Sequence, residues 1–302
     1  MAALYRRRRA PRLRGRGREP WLEMLHEPAC KIYLAAHDPA SRVASLDRLG
    51  VATAVVSIST PVGCEALPAE QAAPLVDAYN DGIAELVDGS GGRLRAFAAA
   101  AVADPHAAGT DLERRLDQGF VGVSVPSAAL DTAAGVAALE PVLAVLERRS
   151  GTLFVHPGPG PATRPDAAGD GLPGWWTSLA GYPASSQRAF FTWRATAAGR
   201  RLRVVWAIMA GGAPFLEGRW RTFAGRPGEI DPHQFFDTAS AGRESLELLL
   251  ATYGVEQVVF GTDHPVIDWT TVRSAVHALG QGVVDLVAGR NPARALDLNG
   301  GG

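Results

Sequence analysis

Cysteine is nearly absent from this 302-residue chain, and the two that occur, Cys30 and Cys64, have no CxxC spacing. That excludes a disulfide scaffold, and both residues read as free thiols of a reducing cytoplasm. Lysine occurs once, as Lys31. Long hydrophobic runs are missing as well. The longest uncharged stretch of small or strand-like residues, Ala96 to Ala103, falls far short of the roughly 18 residues that suggest a membrane span, so no transmembrane helix is expected. Acid is missing from residues 1–18, which hold eight arginines (Arg6, Arg7, Arg8, Arg9, Arg12, Arg14, Arg16 and Arg18). Such a run suits nucleic acid, an anionic surface or an import sequence. No aromatic ring alternates with these arginines to stack bases, and the run reads instead as a solvated surface segment, with neither nucleic acid nor membrane as partner.

What is present suits one large core. The chain is 47% hydrophobic with a formal net charge of −1, and the eight arginines of the first 18 residues leave −9 for the remainder. Residues 1–19 form an Arg-rich segment and residues 20–302 a single α/β domain. Short β-branched or apolar runs occur at Ala54–Ile58, Leu94–Ala100, Phe120–Val125, Thr152–His156, Leu202–Ala207, Gln234–Asp237 and Val258–Thr262. Between and after them lie helix-like segments at Ala69–Val87, Ala107–Gln118, Gly135–Arg149, Ser185–Gly199, Arg243–Tyr253 and Trp269–Leu279. Strand followed by helix, repeated over most of the chain, predicts parallel strands covered by helices. An α/β barrel has eight strands and carries its chemistry at their C-terminal ends. Seven are countable here, and strand one is expected upstream of Met1.

The strand ends supply the candidate site. The run Thr152–Val155 delivers His156 directly before "PGPGP", which cannot continue as helix. The last run delivers Asp263 within "GTDHP". Imidazole nitrogen and carboxylate oxygen suit a zinc-like cation, and ligands gathered from separate strands are one way to build such a site. The competing roles are a hydrogen-bonded structural histidine and a helix-capping aspartate.

The motifs "LFVHPGP", "VVWAIMAGGAPFLEGRW", "FFDTAS" and "VVFGTDHPV", in that order, resemble the amidohydrolase-related family that includes aminocarboxymuconate-semialdehyde decarboxylase. "DRLGVATAVVSIS" and "GRNPARAL" support the resemblance, which runs from about residue 4 to residue 298. It implies a distorted (β/α)8 TIM-type barrel with one divalent metal ion, usually zinc, acting on a small-molecule substrate by hydrolysis or non-oxidative decarboxylation. Related barrels are often homodimers. His156 matches the family's fifth-strand metal ligand. Asp263 matches the eighth-strand ligand and proton carrier. The segment "WLEMLHEPACKIYL" resembles a hairpin, at about residues 20–36, that partly covers the site. Trp175, Trp176, Tyr182 and Trp193 are the candidates for an aromatic wall around substrate, helix packing being their competing role, and His264 is a further substrate-side candidate.

Two departures qualify what the resemblance implies. The family's first-strand HxH pair occurs nowhere in this sequence, and Ile208 stands where the family places a histidine after the sixth strand. An isoleucine can neither transfer a proton nor polarise a carbonyl. The alternative expectation is thus a metal-free barrel that binds a small molecule without turnover.

Overall fold

The computed structural model describes residues 1–15, 17–160, 176–197, 199–225, 230–267 and 269–298. Three short strands come first: β1 (Arg12–Arg14), β2 (Trp21–Glu23) and β3 (Cys30–Lys31) form a small antiparallel sheet in the order β1-β2-β3. Within residues 20–36, β2 and β3 pair antiparallel, and the Arg-rich segment contributes β1 to the same sheet. Arg12 and Arg14 both pair with Glu23 across that sheet.

Seven parallel strands follow: β4 (Ala54–Val56), β5 (Leu94–Ala99), β6 (Gly122–Pro126), β7 (Thr152–His156), β8 (Arg203–Trp206), β9 (Gln234–Asp237) and β10 (Val258–Val259). They lie side by side in chain order and curl into part of a barrel. Among the described residues β4 and β10 are the two edges of this sheet.

Helices cover the outer face because each connecting segment has one apolar side. Leu112, Val123, Val125, Leu143, Leu153, Phe190, Trp206 and Phe236 are buried together between sheet and helices. The inner face is filled by Val205, Phe235 and Val259 with Phe154, against Ala295 and Leu296 from the C-terminal segment. Local signals start the helices. Asp38 accepts from the Ala40 amide at 2.8 Å to cap Pro39–Leu49, and Asp104 accepts from Ala107 at 3.1 Å to cap Pro105–Asp117. Asn80, fully buried on helix Ala69–Asp88, donates to Ala99 O at 3.1 Å and accepts from Ala99 N at 2.8 Å. Helix and strand end are thereby locked in one register.

Three expectations change. The helix expected over Gly135–Arg149 is two helices, Ala133–Ala138 and Glu140–Arg149. Pro141 has no amide to donate back and its ring crowds the preceding turn. The strand expected to reach Thr262 ends at Val259, because Phe260 N turns away to Val287 O at 2.8 Å and Asp263 takes φ +53°. A helix not expected from the Gly-Gly-Ala-Pro pattern spans Ile208–Ala224, and its first turn is left-handed. Ile208, Met209, Ala210, Gly211 and Gly212 all have φ between +47° and +80°.

Candidate active site

The C-terminal ends of β7, β9 and β10 place three titratable side chains at one mouth of the sheet. Register decides which face they occupy. Val155 pairs with Trp206 and Trp206 with Phe236, so His156, Ala207 and Asp237 share the next rung. Alternation points them to the inner face, the one that Phe154, Val205 and Phe235 fill. Asp263 follows four residues after Val259, the rung partner of Asp237.

His156 is held from behind. Its Nδ1 lies 2.8 Å from Pro157 O and 3.0 Å from Thr60 Oγ1, and Thr60 Oγ1 donates to Pro157 O at 2.6 Å. A carbonyl only accepts, so Nδ1 carries the proton and Nε2 keeps the lone pair. Burial lowers the imidazole pKa, so the ring is neutral. The chain passes Thr60 so closely that a Cβ on Gly158 would meet Thr60 Oγ1 at 2.1 Å, which is why glycine follows Pro157.

Asp237 was part of a quoted motif but had no expected role. Its Oδ1 accepts from Ile208 N at 2.7 Å and Ala239 N at 3.1 Å. Burial, with a smaller contribution from the nearby Asp263 charge, raises its pKa to about 7 against those two bonds. Burial likewise raises Asp263 to about 6. Gly261 brings the chain against this carboxylate, since a Cβ there would lie 2.8 Å from Asp237 Oδ2. At position 208, where the resemblance calls for an imidazole, the contribution to Asp237 is a backbone N–H.

The other candidates disperse. His264 is partly buried at the mouth, its carbonyl accepting from Arg42 Nη1 at 3.2 Å. Trp176 is exposed, whereas Tyr182 and Trp193 are buried, Trp193 against Trp206 with ring centroids 6.3 Å apart. Trp193 thus belongs to the outer core and not to a substrate wall. Trp175 lies outside the described residues. Cys30 and Cys64 are both free thiols, and burial pushes Cys64 up to about 12.

A metal ion finds suitable donor chemistry here but too few donors. The Nδ1–H bond of His156 to a carbonyl is the orientation that metal-bound histidines use. Yet among the described residues no three His, Cys, Asp or Glu side chains gather as a metal site would require, and a catalytic zinc takes three protein ligands. His156 and Asp263 by themselves do not complete a metal centre.

Comparison with known proteins fits this geometry. A family model described as Amidohydrolase matches residues 65–298. No curated protein matches the sequence. Among solved structures, Metarhizium anisopliae IDCase is similar with a TM-score of 0.74 and 21% identity, covering 99% of this chain and 93% of that one. The 2,6-dihydroxybenzoate decarboxylase from Rhizobium has a TM-score of 0.70 at 20% identity, covering 86% and 88%. The 5-carboxyvanillate decarboxylase of Novosphingobium aromaticivorans, solved with manganese and a nitrobenzoic acid, has a TM-score of 0.70 at 16% identity, covering 85% and 79%. Likeness at these identities carries the fold and leaves the activity open.

Proposed function

Since the chain belongs to the amidohydrolase family, we propose that it converts a small organic acid at the C-terminal mouth of its sheet, by non-oxidative decarboxylation or by hydrolysis. The observation that carries this reading is the shared inner-facing rung of His156 and Asp237, with Asp263 beyond the strand next to it. Similar folds that act on carboxylated aromatics support the organic-acid class. In decarboxylation the carbon–carboxylate bond breaks, CO2 leaves, and the electron pair left on carbon takes a proton, which Asp263 supplies. In hydrolysis the same carboxylate takes a proton from water and returns it to the leaving group. His156, fixed by Pro157 and Thr60, presents the Nε2 lone pair to the substrate. Asp237 holds the turn at Ile208. A divalent ion, zinc in the family pattern, would be held by His156 and Asp263, which are by themselves too few for a metal centre. The free thiols of Cys30 and Cys64 agree with a cytoplasmic location.

General acid–base groups contribute about 100-fold to 10,000-fold to rate. Asp263→Asn and His156→Gln should each lower turnover of a dicarboxylated hydroxybenzene by about 100-fold or more while the melting temperature stays near that of the parent. The measurement is CO2 release, with metal content determined on the same preparations. If no organic acid is turned over even with zinc or manganese added, the second reading holds. That reading is a metal-free barrel that binds a small molecule, and the presence of Ile208 at the sixth strand end is what favours it.

A homodimer is proposed through helix Ile208–Ala224. Phe215 and Phe223 are 79% and 78% exposed, two turns apart on one face, with the Arg219 guanidinium 5.3 Å from the Phe223 ring between them. A two-fold pairing of this face would bury four phenylalanines. Phe215→Glu should convert the protein to a monomer in light scattering. A parent protein that is already monomeric at micromolar concentration sinks the idea.

A further inference from the structure

Arg42 is a partly buried cation. It lies on helix Pro39–Leu49 and reaches the mouth, where Nη1 donates to His264 O at 3.2 Å and Nη2 lies 3.2 Å from His37 Nδ1. Its Nε is buried with no protein partner, and among the described residues no carboxylate forms an ion pair with it. Burial lowers its pKa, with only Tyr79 acting against this. A desolvated charge without a counter-ion is costly unless something supplies one.

Two more groups at the same place lack partners. The Tyr79 hydroxyl is buried and unbonded, and it lies within electrostatic reach of both Arg42 and Glu65. Glu65 is 1% exposed and its carboxyl oxygens find no partner beyond its own backbone amide. Burial raises its pKa to about 8, so at neutral pH it holds a proton. Buried polar atoms are nearly always paired, and three orphans, from two helices and a loop, with Tyr79 electrostatically linked to the other two, point to an occupant. All three are donors: a guanidinium N–H, a phenol O–H and a carboxylic acid O–H. A cation is excluded by Arg42, and an acceptor with negative charge is what they share.

We propose that Arg42, Tyr79 and Glu65 anchor a carboxylate of the bound organic acid, at a position separate from the reacting groups on β7, β9 and β10. The anchor rests on the reading of this mouth as an organic-acid site and adds the residues that select its ligand. A carboxylate that is to leave as CO2 gains nothing from being held equally in ground and transition states. The anchored group is accordingly one that does not react, and the substrate carries a second acidic or otherwise reactive centre.

Calorimetric titration with benzoate, with its neutral isostere benzamide and with inorganic phosphate tests the proposal. The parent protein should bind benzoate at least about tenfold more tightly than benzamide, one charge-assisted hydrogen bond being worth roughly that factor. Arg42→Met should erase this preference, and Tyr79→Phe, a smaller change that keeps the ring in place, should weaken benzoate binding severalfold without touching benzamide. Equal binding of benzoate and benzamide by the parent, or parental benzoate affinity in both variants, overturns the anchor. Phosphate bound through Arg42 in place of benzoate overturns the carboxylate assignment. Benzoate held through Arg42 by a protein that turns over no acid would leave the anchor standing and remove the catalytic reading. Undiminished turnover by Arg42→Met would do the reverse.

Discussion

Gly211→Ala is expected to destabilise the protein by roughly 3–5 kcal/mol, whereas Gly212→Ala next to it should cost only about 1–2 kcal/mol. Both glycines have left-handed φ, +66° and +80°, so each alanine bears the same conformational cost. They differ in what a methyl group would meet. A Cβ on Gly211 would lie 1.9 Å from Pro183 O and 2.9 Å from Gln187 N, and nothing lies within 4 Å of one on Gly212. The neighbour at position 211 is helix backbone, which cannot rotate aside as a side chain can, so helix Tyr182–Thr196 would have to move off the left-handed turn. Denaturant unfolding of the two variants checks this, with a lower midpoint at unchanged slope for Gly211→Ala. Equal losses for the two would show that the turn does not press on that helix. Because Ile208 N within the same turn donates to Asp237, Gly211→Ala should also disturb the mouth.

The second large effect is a pH dependence. Glu65 has its folded pKa raised from 4.5 to about 8 by burial. A carboxyl raised in this way contributes stability that is fully present below the unfolded value and is lost as pH rises through about 4.5 to about 8, since the folded state then holds a proton the unfolded chain has released. Glu65→Gln removes that proton linkage while keeping the size of the side chain. At pH 5 the variant should resemble the parent. At pH 8.5 it should be the more stable of the two by roughly 3–5 kcal/mol, from about 1.4 kcal/mol per pKa unit. Asp237 and Asp263 titrate in the same direction, to about 7 and about 6, so some decline with pH will persist in the variant. Melting curves from pH 5 to pH 9 decide the matter, and parallel profiles for parent and variant would show that Glu65 is ionised or hydrated in the folded protein.

Seven strands in chain order were legible because each is a short apolar run bounded by glycine, proline or a polar turn, and β7 and β9 match their expected bounds to the residue. Short apolar runs and strong breakers are local properties, and a single pass along the chain reads them. The same logic brought out His156 and Asp263, each delivered by such a run to its end. Asp237 ends the run "QFFD" in the same way, and the signal that singled out Asp263 was available for it.

Other features are invisible along the chain because no local rule encodes them. An arginine on helix Pro39–Leu49 reads as a solvated face until the helix is packed beside His264, 222 positions away. Glu65 follows Cys64 in a loop, and nothing in its neighbours reveals that both oxygens are buried. The left-handed turn at Ile208–Gly212 runs against the preference of isoleucine, methionine and alanine for negative φ, so a reading by propensity assigns it a loop. Sequence alone thus determined the alternation of elements and which strand ends carry imidazole and carboxylate, since hydrophobic period and chain breakers act over a few residues. Only the tertiary structure decided that His156 and Asp237 share a rung, that Ile208 supplies an amide where an imidazole was expected, and that Arg42 Nε, the Tyr79 hydroxyl and the Glu65 carboxyl are buried. Those outcomes depend on strand register and on helix packing, and the energies that set them come from contacts between residues far apart in the chain.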